Sequence, residues 1–156
     1  MTDYDKITLA KTAIEELLQR CGVRAAVEFE ESITKGLIFN ISSPDSYLLI
    51  GRQGATLHAL QVLAQALVAR RLSDQQPLWF SLDVDDYKRK REWFLKETAK
   101  AAADKAKMTG RPQGLEPMPN YERRLVHAYL QEHCPNVESY STGREPHRKI
   151  IVRLKQ

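Results

Sequence analysis

The sequence predicts an α+β protein made of two small units, residues 1–84 and 85–156. Three observations predict it. Apolar residues recur at helical and then alternating spacing in the order α-β-β-α-α-β, and that run closes at residue 84. A second, shorter series of helix, extended piece, helix and hairpin (αβαββ) fills the remainder. The charge is also unevenly placed. Residues 1–84 carry 8 Lys/Arg against 10 Asp/Glu, a net of −2, while residues 85–156 carry 16 against 10, a net of +6. A field concentrated in one half steers a chain toward polyanions, although plain solubility accounts for the same imbalance.

The elements follow in order. Thr2 with Asp5 three residues later resembles a capping box, and Ile7, Ala10, Ile14, Leu17 and Leu18 then recur at helical spacing until Gly22. Val23, Ala25, Val27 and Phe29 alternate with polar or small residues, predicting a half-buried strand, and a turn at Lys35-Gly36 leads to a second strand over 37–41. Ser43-Pro44 is read as the N-cap and first residue of a short helix through Tyr47 to Leu49. After Gly51-Arg52-Gln53-Gly54, Leu57, Leu60, Ala64, Leu67 and Val68 mark one face of a helix over 55–71. A polar turn over 73–77 precedes a third strand over 78–84.

Asp85 or Asp86 is expected to cap a long helix over 86–108, striped by Tyr87, Phe94, Leu95, Ala99, Ala102 and Ala106 and ended by Gly110 and Pro112. This helix joins the two units without a flexible linker. An extended piece at 113–115, a helix over 120–132 and a hairpin of 137–140 and 149–154 about Thr142-Gly143 complete the chain.

A chain of 156 residues with 42% hydrophobic and 28% charged residues has the composition of a folded protein rather than a disordered one. No apolar run is long enough to span a bilayer, and Met1 to Lys6 lacks the basic and apolar regions of a signal peptide. Cys21 and Cys134 are isolated thiols, which fits a reducing cytoplasm. His58, His133 and His147 lack metal-ligand spacing, so neither a metal nor a cofactor is expected.

The chemistry-bearing residues form three groups. Gly51 and Gly54 let backbone pass close to a bulky neighbour, the first amides of the following helix attract anions, and Arg52 adds a mobile cation beside Gln53. The plain alternative is a helix–helix turn. Ile50, Leu57 and Leu60 are read as core in preference to groove wall. Arg123 and His127 lie four apart on one helix face, where they can engage a phosphate together. Alternatively, His127 is buried on a backbone carbonyl and Arg123 pairs with an acid such as Glu122 or Glu116. Arg144, Arg148 and Lys149 sit at the hairpin turn and its exit, within reach of one phosphate-lined path. Lys88-Arg89-Lys90-Arg91 goes round its helix and reads largely as a solvated face. Trp79 and Trp93 can stack on bases but are read first as packing.

Residues 1–84 resemble a KH domain of the type II αββααβ arrangement, with Gly51-Arg52-Gln53-Gly54 matching its G-x-x-G loop. Residues 86–154 resemble an R-three-H domain, named for Arg-x-x-x-His, here Arg123-Arg124-Leu125-Val126-His127. Gly110-Arg111-Pro112, Leu115-Glu116-Pro117-Met118 and Tyr121 to His127 are similar to the bacterial Jag family, also called KhpB or SpoIIIJ-associated proteins. Longer Jag proteins carry an additional N-terminal domain that has no counterpart here, so roles assigned to it are not carried over.

The resemblance implies a non-enzymatic, cytoplasmic protein that binds single-stranded RNA, with single-stranded DNA as an alternative. It also implies a role in RNA regulation that extends to chaperone activity and cell shape, and a second small KH-domain protein as partner. The G-x-x-G loop would clamp about four nucleotides, and the second unit would add phosphate contacts. The competing reading is a protein-interaction module with incidental RNA binding. An enzyme using His127 as general base is disfavoured, because Glu122 and Glu132 are the only nearby carboxylates on its helix.

Overall fold

The computed structural model describes residues 1–73 and 76–156; of the predicted turn at 73–77, positions 74 and 75 lie outside the described residues. The chain divides into two compact units, Met1–Lys88 and Arg89–Gln156.

The first unit runs α1 (Asp3–Arg20), β1 (Ala26–Ser32), β2 (Gly36–Ser42), α2 (Ser46–Ile50), one 3-10 turn (Arg52–Gly54), α3 (Ala55–Leu72) and β3 (Phe80–Val84), the predicted order. The expected capping box forms at Thr2: its hydroxyl accepts from Asp5 N–H, and the Asp5 carboxylate accepts from Thr2 N–H at 2.8 Å. The sheet order is β1-β2-β3, with β2 antiparallel to β1 and parallel to β3. Leu37, Phe39 and Ile41 alternate inward from β2 against Ile14 and Leu18 of α1 and Leu57, Leu60 and Val68 of α3. Phe39 meets Phe80 edge-on at 5.2 Å between ring centroids, a favoured aromatic geometry. Leu57 and Leu60 are therefore core, and Ile50 packs half-buried against it.

Local chemistry shifts some boundaries. β1 begins three residues later than the alternation from Val23, because its ladder with β2 starts at Ala26 opposite Ser42, the last residue of β2, leaving Val23 and Ala25 packed ahead of it. The short helix starts at Ser46 rather than at Pro44. The Ser43 hydroxyl donates to Arg24 O at 2.7 Å and accepts from Asp45 N–H at 3.1 Å, closing a turn before the helix.

The second unit holds α4 (Tyr87–Thr109), which begins in the first, then β4 (Gln113–Gly114), α5 (Asn120–His133), β5 (Val137–Thr142) and β6 (Lys149–Leu154). The first compact unit extends through Lys88. Tyr87 packs against the first core, and Lys88 donates its N–H to the Asp83 carboxylate and its ammonium to Gln61 Oε1 at 3.1 Å. The sheet order is β4-β6-β5, antiparallel throughout. Leu95, Ala99, Ala102 and Ala103 of α4 and Val126 and Leu130 of α5 form a core with Val137, Ile150 and Val152. Glu122, fully buried, is held by both Nε (2.8 Å) and Nη2 (2.9 Å) of Arg91, the paired state that a buried carboxylate requires.

Three aromatic expectations are corrected. Phe94 is not in the α4 stripe but 51% exposed, because the alanines at 99, 102, 103 and 106 set the buried face one position round from it. Trp79 and Trp93 are not packing residues: they are 79% and 65% exposed.

Candidate nucleic-acid interface

Gly51-Arg52-Gln53-Gly54 forms a tight turn between α2 and α3. Gly51 takes φ 69° and ψ −172°, a region essentially confined to glycine, and Gln53 and Gly54 are both left-handed (φ 53° and 79°). The bareness of the two glycines is used within the fold. A Cβ on Gly51 would sit 2.7 Å from Thr56 Cβ and 2.9 Å from Thr56 N, and one on Gly54 would sit 2.8 Å from the Tyr87 ring. What the turn offers outward is therefore the exposed Arg52, the half-buried Gln53 and the start of α3. An 18-residue helix supplies a positive N-terminal end there, and Arg52 adds to it.

In the second unit, α5 brings Arg123 and His127 onto one side, but they are held differently. Arg123 is buried. Its Nη1 donates to Met118 O at 2.7 Å and its Nη2 to Glu145 Oε1 at 2.6 Å, with Asn120 Oδ1 at 3.4 Å. Its acidic partner is thus Glu145 of the β5–β6 loop, neither Glu122 nor Glu116. His127 is half-buried between two serines of β5, with Nδ1 2.7 Å from Ser139 Oγ and Nε2 3.0 Å from Ser141 Oγ. Residues two apart on a strand share a face, and this is why both hydroxyls reach one imidazole. Burial, with the Arg123 charge adding to it, holds His127 below the ordinary histidine range, which favours the neutral ring. A cleft of about 410 Å³ opens beside it, bounded by Gln131, Glu138, Tyr140 and Lys155.

The hairpin cations separate. Arg144 and Lys149 are exposed, whereas Arg148 is half-buried and donates from Nη1 to Gly143 O at 3.1 Å, pinning its own turn. Sequence reasoning missed Glu145, Ser139 and Ser141. Serine on a strand carries no distinguishing signal, and the Arg123–Glu145 pair spans 22 residues. Among the described residues no group of His, Cys, Asp and Glu could hold a metal, and no helix is long and apolar enough to cross a membrane.

Residues 94–154 match the R-three-H domain family. The chain is 38% identical to the RNA-binding protein KhpB of Clostridium symbiosum, with 97% of this chain and 68% of the relative covered. It is 32% identical to the RNA-binding protein KhpB of Lactiplantibacillus plantarum (96% and 50%) and 29% identical to that of Bacillus subtilis strain 168 (97% and 72%). The chain thus spans about half the length of the second of these relatives.

Proposed function

Since the chain belongs to the KhpB family and carries an R-three-H domain, we propose that it is a non-enzymatic, cytoplasmic protein that binds single-stranded RNA. The observation that carries this reading is a match to relatives named as RNA-binding over 97% of the chain, both units included. The geometry supports it. The first unit is KH-like, with residues 51–54 and the amino end of α3 as its contact with sugar–phosphate backbone, Arg52 and Gln53 foremost. In the second unit, Arg144, Arg148 and Lys149 supply phosphate contacts, and His127 with its two serines supplies hydrogen-bonding groups. Arg123 positions the Glu145 loop, and a phosphate reaches its guanidinium only where Glu145 yields. Two contact sites on one polypeptide raise apparent affinity through effective concentration. Against an enzyme, both ring nitrogens of His127 are engaged by serines and no carboxylate among the described residues contacts it, so it lacks the orienting acid of a catalytic triad.

Anisotropy titrations of labelled single-stranded RNA against the chain and its Arg52→Asp/Gln53→Asp variant test this reading. Weaker binding by the variant, and affinity that falls steeply with salt, are expected. Unchanged affinity in the variant removes the turn from the interface, and a flat salt response removes the phosphate-contact account altogether.

One observation favours a second reading, that the first unit docks on another protein. α3 buries Leu57, Leu60, Ala64, Val68 and Leu72, yet its other side exposes Ala55, Ala59, Val62, Leu63 and Ala66. Val62 and Leu63 are about half exposed. A helix with apolar residues on two opposite sides is ordinarily covered on both. The occupant this reading assigns is the small KH-domain partner, and RNA binding and partner docking then use different sides of the unit's helices.

A further inference from the structure

We propose that the solvent face of the sheet β4-β6-β5 is a stacking platform for a nucleobase of single-stranded RNA, with Tyr140 as the ring it stacks on and Lys149 and Arg153 as flanking phosphate contacts. This deepens the RNA-binding reading above and rests on it.

The antiparallel register pairs Glu138 with Arg153, Tyr140 with Ile151 and Thr142 with Lys149. Alternation along each strand puts these six side chains on one face, while Val137, Ile150 and Val152 point into the core on the other. β4 adds Gly114 opposite Ile151, so one row crosses all three strands: Gly114, Ile151, Tyr140. The open face of an antiparallel sheet is ordinarily polar. This row is a bare glycine, an isoleucine and a tyrosine that is 44% exposed.

Gly114 keeps the row low. The place a Cβ would take there lies 3.4 Å from Ile151 Cδ1 and 3.7 Å from Lys149 Nζ, ordinary contact distances, so the end of the isoleucine and the lysine ammonium both lie beside bare main chain. On the other side, the Arg153 guanidinium carbon lies 5.4 Å from the Tyr140 ring centroid, and Glu138 Oε1 fixes its Nε at 2.5 Å. The arginine is thereby held in a stacking pose before any ligand arrives, which lowers the entropy lost on binding. The backbones of Lys149 and Arg153 stand about 13 Å apart along β6, but their charged ends lie at opposite ends of the row, the ammonium beside Gly114 and the guanidinium beside Tyr140.

A π-face on a flat shelf with a cation at each end matches the alternation of base and phosphate in a single strand. A protein partner would need a broader apolar centre than one tyrosine and one isoleucine provide. The two cations outweigh Glu138, so the face favours a polyanion.

The test uses the full chain and two short labelled single-stranded RNA oligonucleotides, one of mixed sequence and one of equal length with abasic residues. Tyr140→Ala is expected to weaken binding of the base-bearing strand about tenfold while leaving the abasic strand unaffected, and Tyr140→Phe to match the parent on both. Parent-like binding of both strands by Tyr140→Ala overturns the platform, and so does equal weakening of both. Loss in Tyr140→Phe equal to that in Tyr140→Ala assigns the effect to the hydroxyl and overturns stacking. If Tyr140→Ala binds like the parent while Arg52→Asp/Gln53→Asp loses affinity, the platform falls and the RNA-binding reading stands. A parent chain that binds neither strand removes both.

Discussion

Arg123 Nη2 lies 2.6 Å from Glu145 Oε1 while Nη1 of the same guanidinium donates to Met118 O at 2.7 Å, so one buried arginine ties the start of α5 to the β5–β6 loop. Only 5% of Arg123 is exposed. Arg123→Ala leaves the Met118 carbonyl without its partner and is expected to lower unfolding free energy by about 1–3 kcal/mol. Glu145→Gln retains an acceptor and should destabilise less. Urea denaturation curves decide the matter, and an Arg123→Ala midpoint equal to that of the parent would contradict the structural role assigned to this residue.

His127 predicts acid sensitivity of a definite sign. Its pKa is lowered in the folded chain by burial and then by Arg123, so the unfolded chain takes up the proton first as pH falls. The stabilising contribution is present above the ordinary imidazole range and is lost as pH drops through the folded-state value. His127→Gln removes the titrating group. Between about pH 7 and about pH 5, the parent should lose more stability than this variant, measured by urea midpoints at each pH; parallel losses would rule the effect out.

Gly51→Ala should destabilise more than Gly54→Ala. Both positions strain a side chain through positive φ, on the order of 1–3 kcal/mol each, but the Gly51 Cβ also meets Thr56 backbone nitrogen whereas the Gly54 Cβ meets a tyrosine ring able to shift. Gly36, at φ +70° with nothing within 4 Å, supplies the comparison for strain alone. Thermal unfolding that ranks Gly36→Ala level with Gly51→Ala would show that the Thr56 contact is not limiting.

Leu63→Asp places a charge in the exposed apolar stripe of α3 without touching the core. If the first unit docks on a small KH-domain protein as the second reading proposes, that association is lost in the variant while its own melting temperature is retained, as read by sedimentation and thermal unfolding. Association that survives Leu63→Asp and Val62→Asp together would put the partner elsewhere.

Much of this architecture is legible in the chain because its signals are local. The capping box at Thr2 and Asp5, the glycine that ends α1 and the 3.6-residue stripe of α3 each act within a few residues, and each appears where expected. The failures come from long-range partners. Phe94 fits a helical stripe on spacing alone, but the alanines beyond it choose the buried face. The acid facing Arg123 is invisible because the loop folds Glu145 back from 22 positions away. The glycines at 51 and 54 are recognisable as a motif, yet it is the fold that brings Thr56 and Tyr87 into the spaces their side chains would take.

The imidazole flanked by Ser139 and Ser141 carries a constraint of proton bookkeeping. A neutral ring has one hydrogen to give, so one serine accepts from it and the other donates to it. The accepting hydroxyl keeps its own hydrogen for an outside group, while the donating one turns lone pairs outward. Adding a proton to the ring reverses the second serine, and the edge of β5 then presents two hydrogens where it had presented one.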